Sequence, residues 1–137
     1  MRQLSQNPHR RALVVDDDEL VRNFIREVLA ARGFEVYVAG DGETAASIYE
    51  SRPDLSLIVT DILMPAADGI SFILKIRRLG QGGGAHRPKI IAISGGGTVH
   101  AELYLESAKG LGADLTLQKP FSLTDLTEAL ARLDFSA

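Results

Sequence analysis

The sequence has no cysteine and no tryptophan among its 137 residues, and aromatic residues make up only 6%. The lack of cysteine excludes disulfides, thiolate catalysis and cysteine-based zinc sites, although it does not fix the cellular compartment. No apolar run approaches the ~18 residues of a membrane-spanning helix, and the N-terminal stretch MRQLSQNPHRR lacks the apolar core of a signal peptide. We therefore expect a cytoplasmic protein with a flexible leader over residues 1–10 and one domain over residues 11–137.

The sequence also has no surplus of basic residues, since its formal net charge is −3 at pH 7. A strongly basic patch is the usual mark of a nucleic-acid-binding domain, so we predict no direct contact with nucleic acid and none with a membrane. Hydrophobic residues at 45% and charged residues at 24% are typical of a globular protein.

Short apolar runs alternate with helical patterns along the whole chain, which predicts an α/β fold. Five runs predict strands, at residues 12–15, 35–39, 55–60, 89–94 and 115–118. Five helical segments follow them, the fourth at about residues 98–109. Strands separated by helices form a parallel sheet with helices on both faces, and ligands bind such sheets at the carboxyl ends of the strands.

Local signals at three positions predict where helices begin or end. Asp18 and Ser122 are typical N-cap residues, and Asp125 lies in the capping-box position relative to Ser122. Gly33 lies where a glycine commonly ends a helix. In the first helix, Phe24 and Ile25 belong to an apolar stripe that we expect to face the sheet.

Polar residues lie directly at the carboxyl ends of four predicted strands. They are Asp16 and Asp17 after the first strand, Asp61 after the third, Ser94 at the end of the fourth and Lys119 after the fifth. Each alone is unremarkable, because acids and lysines are common in surface loops. Four such groups on one edge of a sheet are much harder to explain as coincidence.

This set of groups supports a particular chemistry. Crowded carboxylates repel one another, and either protonation or a hard divalent cation relieves the repulsion. With oxygen ligands and no nearby histidine or cysteine, Mg²⁺ is the natural cation. An ammonium and a hydroxyl beside the metal complete a site for a phosphoryl group, which Asp61 is placed to accept as a nucleophile.

Four stretches together carry a resemblance to a known family: LVVDDD, VTDILMPAADG, IIAISG and QKPF. With them the sequence resembles the receiver domain of two-component response regulators, in particular single-domain, chemotaxis-type regulators, over residues ~11 to ~135. The resemblance implies a flavodoxin-like (βα)₅ three-layer sandwich with strand order 2-1-3-4-5. It also implies phosphorylation by a sensor histidine kinase or a histidine phosphotransfer protein, which changes a partner-binding surface.

Carried over by position, the resemblance assigns a role to each polar group. Asp61 is the phosphoacceptor, and Lys119 and Ser94 contact the phosphoryl group. The Mg²⁺ ligands are Asp16, Asp17, Asp61 and the backbone carbonyl of Leu63. The resemblance further implies a cis peptide between Lys119 and Pro120.

The sequence departs from the family at Thr116, where many receivers carry a tyrosine or phenylalanine whose rotamer reports phosphorylation. Signal transmission through that side chain is therefore not available. Neither Leu63 nor Gly96 offers a polar side chain to position water, so we predict slow self-dephosphorylation. We expect no other enzymatic activity than this and the chain's own phosphorylation.

The output of such a domain is a protein partner, or a homodimer formed through the fourth helix, the fifth strand and the fifth helix. Consecutive apolar residues at 103–105 favour that surface, because they cannot all face the sheet. The alternative function is a Mg²⁺-dependent phosphohydrolase with an aspartyl-phosphate intermediate, although Leu63 stands where haloacid-dehalogenase-type phosphatases carry a second acid. A third possibility is a degenerate receiver that binds partners without phosphate.

Overall fold

The structure, a computed structural model, describes residues 10–52, 54–62, 69–80, 87–95, 109–110 and 112–135. These residues form five strands and four helices. In chain order they are β1 (Arg11–Val15), α1 (Glu19–Ala31), β2 (Glu35–Ala39), α2 (Gly42–Ser51), β3 (Leu57–Asp61), α3 (Gly69–Gly80), β4 (Lys89–Ser94), β5 (Leu115–Gln118) and α4 (Leu123–Arg132). Lys109 and Gly110 are also helical, but the rest of the predicted helix at 98–109, including residues 103–105, lies outside the described residues.

All strand pairs are parallel, and the sheet order is β2-β1-β3-β4-β5. This confirms the predicted flavodoxin-like topology. In the register of the sheet, Val15 pairs with Thr60, and Asp61 pairs with Ile93. The carboxyl ends of β1, β3 and β4 therefore lie side by side.

Two hydrophobic clusters lie on opposite faces of the sheet and make the fold a three-layer sandwich. On one face, α1 and α4 pack through residues such as Ile25, Leu29 and Leu130. On the other, α2 and α3 pack through residues such as Tyr49 and Ile73. Every residue of β3 is buried, because this central strand is covered on both faces.

The predicted helix caps are confirmed. The Asp18 carboxylate accepts from the Leu20 amide at 2.9 Å, and Gly33, with φ 88°, follows the end of α1. At the start of α4, Ser122 and Asp125 form a capping box with hydrogen bonds of 2.9 and 3.0 Å.

Two strands and one helical residue differ from the sequence-based expectation. β1 begins at Arg11, one residue before the predicted start, and β3 spans Leu57–Asp61 in place of the predicted 55–60, so Asp61 is part of the strand. Phe24, which the apolar stripe of α1 predicts to face the sheet, is 37% exposed. It lies at the margin of that stripe, where helical spacing alone does not separate core from surface.

Arg10, the last residue of the predicted leader, is tied to the domain. Its guanidinium donates to the Arg32 carbonyl at 2.9 Å and lies over the rings of Phe34 and Phe135. Residues 1–9 are outside the described part, so the division into leader and domain stays a prediction. No helix in the described ranges has the length and hydropathy needed to cross a bilayer.

Candidate functional site

Three carboxylates meet at the carboxyl edge of the sheet. Asp16 and Asp17 follow β1, and Asp61 is the last residue of the neighbouring strand β3. One oxygen from each lies within 4.8 Å of the others, as a shared metal ion requires. Asp16 and Asp61 are buried and Asp17 is exposed, so the cluster is open to solvent on the Asp17 side.

The ammonium of Lys119 joins the two buried carboxylates. Its Nζ lies 3.0 Å from Oδ2 of Asp16 and donates to Oδ2 of Asp61 at 3.1 Å. The backbone also fixes Lys119, because its N–H donates to the Ser94 carbonyl at 2.7 Å. The Lys119–Pro120 peptide is cis, which confirms that prediction.

The electrostatics of the site favour an additional cation. Burial raises the pKa of Asp16, the neighbouring Asp61 charge adds to this effect, and the Asp18 amide and Lys119 oppose it. Burial alone lowers the pKa of Lys119, but the close contacts with the Asp16 and Asp61 carboxylates raise it above its usual value. One ammonium therefore faces an acid-rich site in which ionised Asp16 is costly to bury.

Two buried oxygens lack a hydrogen-bond partner among the described residues: Oδ2 of Asp16 and Oγ of Ser94. The first does lie 3.0 Å from the Lys119 ammonium, in an ion pair, so Oγ of Ser94 is the one with neither kind of partner among the described residues. Such atoms are uncommon in a folded interior. A divalent cation at the carboxylates and a phosphoryl oxygen beside the hydroxyl would satisfy both, so the residues present fit Mg²⁺ and a phosphoryl group.

The structure thus brings together Asp16, Asp17, Asp61 and Lys119, and it places Ser94 at the end of the strand next to β3. Leu63, whose carbonyl is predicted to bind the metal, lies outside the described residues, as does Gly96. Thr116 lies in β5 opposite Ala92 and is half-buried.

An apolar cleft of about 530 Å³ adjoins Lys119, and sequence reasoning did not find it. Its lining residues come from the start of α1 and from the loops after β4 and β5: Leu20, Val21, Phe24, Gly95, Lys119, Pro120 and Phe121. Leu20 is 80% exposed, and the rings of Phe24 and Phe121 lie 6.2 Å apart. The available signal was the spacing of Leu20 and Phe24 by four residues, which places them on one helix face.

Comparison with known proteins identifies the family. The family model of the response regulator receiver domain matches residues 12–131. This chain belongs to the response regulator receiver domain family. The match covers nearly the whole chain, and it confirms the resemblance carried by the four sequence stretches.

Curated relatives of this receiver are regulators. It is 36% identical over 114 residues to the transcriptional regulatory protein CpxR of Klebsiella pneumoniae, an alignment that covers 83% of this chain and 44% of CpxR. It is also 36% identical over 126 residues to the response regulator MprA of Mycolicibacterium vanbaalenii, covering 90% and 48%. The receiver thus spans about half the length of these relatives.

Solved receiver structures share the fold. The chemotaxis protein CheY4 of Vibrio cholerae superposes with a TM-score of 0.74 at 27% identity, covering 90% of this chain and 97% of CheY4. The receiver domain of the sensor histidine kinase PA1611 of Pseudomonas aeruginosa gives a TM-score of 0.73 at 26% identity, covering 90% and 95%. That structure has a magnesium ion coordinated in its active-site cleft.

Proposed function

We propose that this receiver accepts a phosphoryl group on Asp61, with Mg²⁺, from a sensor histidine kinase or a histidine phosphotransfer protein. The observation that carries the proposal is the cluster of three carboxylates within 4.8 Å, two of which contact the Lys119 ammonium. Phosphorylation then changes the surface that binds a downstream protein or the next member of a phosphorelay.

Asp61 is the acceptor that the geometry favours among the three acids. It ends the central strand β3, and the amide of the next residue, Ile62, donates to the Ile93 carbonyl at 2.9 Å. Asp16 already uses Oδ1 to accept from the Asp18 amide at 2.9 Å and is fully buried. Asp17 lies in a loop, so its carboxylate is held less rigidly for in-line attack.

In the transfer step, an Asp61 oxygen forms a bond to phosphorus while the phosphorus–nitrogen bond of the donor phosphohistidine breaks. The electron pair of that bond leaves with the imidazole nitrogen. Lys119 offsets the charge on the phosphoryl oxygens, and the Ser94 hydroxyl donates to one of them. Asp16, Asp17 and Asp61, with the Leu63 carbonyl, would hold Mg²⁺, which when bound offsets the same negative charge.

The magnesium ion in the PA1611 receiver supports the choice of metal, since that domain shares 26% identity and the fold with this chain. The oxygen-only ligand set supports it as well. Zn²⁺ sites in proteins are typically built with histidine or cysteine. Within the described residues, the side chains of these metal-binding types that cluster at this end of the sheet are all carboxylates.

The apolar cleft beside Lys119 supports a protein as the phosphoryl donor. A donor histidine has to reach Asp61, so its protein must cover the mouth of the site. Leu20 and Phe24 offer an exposed apolar surface there, next to Phe121. Burying such side chains against a partner removes apolar surface from water and favours association, which a small phosphoryl donor cannot exploit.

We further propose that this domain makes no direct contact with nucleic acid, in keeping with its net charge of −3, even though CpxR is a transcriptional regulator. We also propose that the domain self-associates as a homodimer through residues 98–109, β5 and α4, which is the fifth helix predicted from the sequence. A cytoplasmic location is likewise proposed, in keeping with the family to which the receiver belongs.

The proposal is tested by incubating the chain with acetyl phosphate and Mg²⁺ and measuring the intact mass. We expect a gain of one phosphoryl group that hydroxylamine removes and that Asp61→Asn abolishes. Asp134→Asn is the matched control, because asparagine tolerates the left-handed backbone at φ 69°. Absence of the adduct with every donor, or steady turnover of a phosphomonoester, would contradict the proposal.

A further inference from the structure

Arg22 reaches from α1 to the backbone of the acidic loop. Its Nη1 donates to the carbonyl oxygen of Asp16 at 2.9 Å. The N–H of Asp16 donates to the Ala39 carbonyl at the end of β2, at 3.1 Å. Both backbone polar groups of Asp16 are therefore bound, each by a different element of the fold.

The carbonyl that Arg22 binds belongs to the peptide between Asp16 and Asp17. Because a peptide is planar, fixing its oxygen also fixes the direction in which the chain enters Asp17. The Asp17 carboxylate needs this support, since it is exposed and no side-chain hydrogen bond holds it in the described part of the structure. Its position in the metal cluster depends on the backbone.

Gly40, directly after β2, lies close to the guanidinium of Arg22. A Cβ added to Gly40 would lie 3.3 Å from Nη1 of Arg22, closer than most real Cβ contacts. The positive-φ glycines of the described chain do not include Gly40, so an alanine there meets a steric conflict and no backbone strain. The arginine is thus placed by contact as well as by hydrogen bonding.

We propose that Arg22 is a positioning residue that sets the affinity of the site for its divalent cation. The inference rests on the proposed function, because it concerns the same metal cluster. Two effects of Arg22 have opposite sign. Its positive charge repels a cation, whereas its hydrogen bond orients the loop that supplies Asp16 and Asp17. Residues that orient metal ligands typically change affinity 10- to 100-fold, so orientation outweighs a charge that is partly solvated.

The sign of the change in affinity therefore separates the two effects. If orientation dominates, Arg22→Met weakens cation binding about tenfold. If only charge matters, the same variant binds more tightly. Arg22→Lys keeps the charge but loses the planar fork, so we expect an intermediate affinity. Gly40→Ala keeps the arginine but displaces it, so we expect a smaller weakening.

The experiment measures Mn²⁺ binding to the full chain by electron paramagnetic resonance of the free ion, with Mg²⁺ as competitor. The control is Arg26→Met, one turn further along the same helix at an exposed position, which should leave affinity unchanged. Thermal melting shows whether each variant is folded. Gly40→Ala provides the test if Arg22→Met does not fold.

Weaker binding by folded Arg22→Met, with Arg26→Met at wild-type affinity, supports the inference. Equal or tighter binding by folded Arg22→Met overturns it, and so does a lower melting temperature without a change in affinity. If the wild-type chain itself binds no Mn²⁺, the metal site of the proposed function fails first. The inference then fails with it.

Discussion

Arg77 on α3 connects its helix to the segments that precede β4 and β5, at the end of the sheet opposite the candidate site. Its guanidinium donates twice to the Gly112 carbonyl, at 2.6 and 2.9 Å, and once to the Pro88 carbonyl, at 3.0 Å. It also pairs with Asp114 at 3.0 Å, and the same carboxylate oxygen accepts from the Ile90 amide at 2.8 Å. One side chain thus fixes the chain where β4 and β5 begin.

Replacing Arg77 by methionine keeps most of the apolar stem but removes all four hydrogen bonds. A hydrogen bond to a charged group contributes roughly 1.5–3 kcal/mol, and removing one partner of a buried pair costs about 3–5 kcal/mol. The Arg77 side chain is only 12% exposed, but that of Asp114 is 32% exposed, so water will solvate the remaining carboxylate. We therefore expect a loss of about 3 kcal/mol, the lower end of the range for a buried pair.

Urea unfolding followed by circular dichroism measures this loss, and thermal melting should show a fall of about 10 °C for a domain of this size. Arg78→Met is a matched control, because Arg78 is the next residue on the same helix and is exposed. Its variant should stay within about 0.5 kcal/mol of wild type. If Arg77→Met is no less stable than Arg78→Met, the hydrogen bonds at Gly112 do not stabilise the fold as argued.

Two predictions concern the site itself. Lys119→Met should slow phosphorylation by acetyl phosphate about 100-fold or more, because one donor to developing negative charge is typically worth 10²–10³ in rate. The rate is measured by mass spectrometry of samples quenched at successive times, and an unchanged rate would exclude Lys119 from the reaction. Leu20→Ala and Phe24→Ala should slow transfer from a phosphohistidine protein while leaving the acetyl phosphate rate unchanged. Leu74→Ala, which truncates an exposed apolar residue on α3, is the control, and equal effects of all three variants would show that the cleft does not bind the donor.

The sequence was sufficient to predict the order of the sheet and the polar residues that meet at its carboxyl end. The strands β2, β4 and β5 begin and end at the predicted residues, because acids, glycines and prolines interrupt short apolar runs. The convergence of Asp16, Asp61 and Lys119 follows from the parallel topology, since carboxyl ends of neighbouring strands share one edge.

The roles of Arg22 and Arg77 could not be predicted in the same way. A charged residue on an amphipathic helix usually faces water, and nothing local distinguishes Arg77 from its exposed neighbour Arg78. The partners of Arg77 lie as far as 37 residues away in the chain. The exposure of Phe24 was missed for a related reason, because helical spacing gives the direction of the apolar stripe but not where the sheet ends.

The residues of the candidate site differ in how many contacts fix them. This difference matters for signal transmission, because the receiver has Thr116 at the position where many receivers carry an aromatic residue. Asp16 is fixed by Ala39, Arg22 and Asp18, and Asp61 ends a strand paired on both sides. Lys119 donates its backbone N–H to the Ser94 carbonyl, but it follows β5, which is an edge strand of the described sheet and only partly buried. Elements with little burial rearrange at low cost, and β2, the other edge strand, is similarly exposed but carries no side chain of the site. Because Lys119 contacts both carboxylates, we expect that phosphorylation of Asp61, as proposed, acts first on Lys119 and on the strand β5 that precedes it, since Thr116 offers no aromatic side chain for the response.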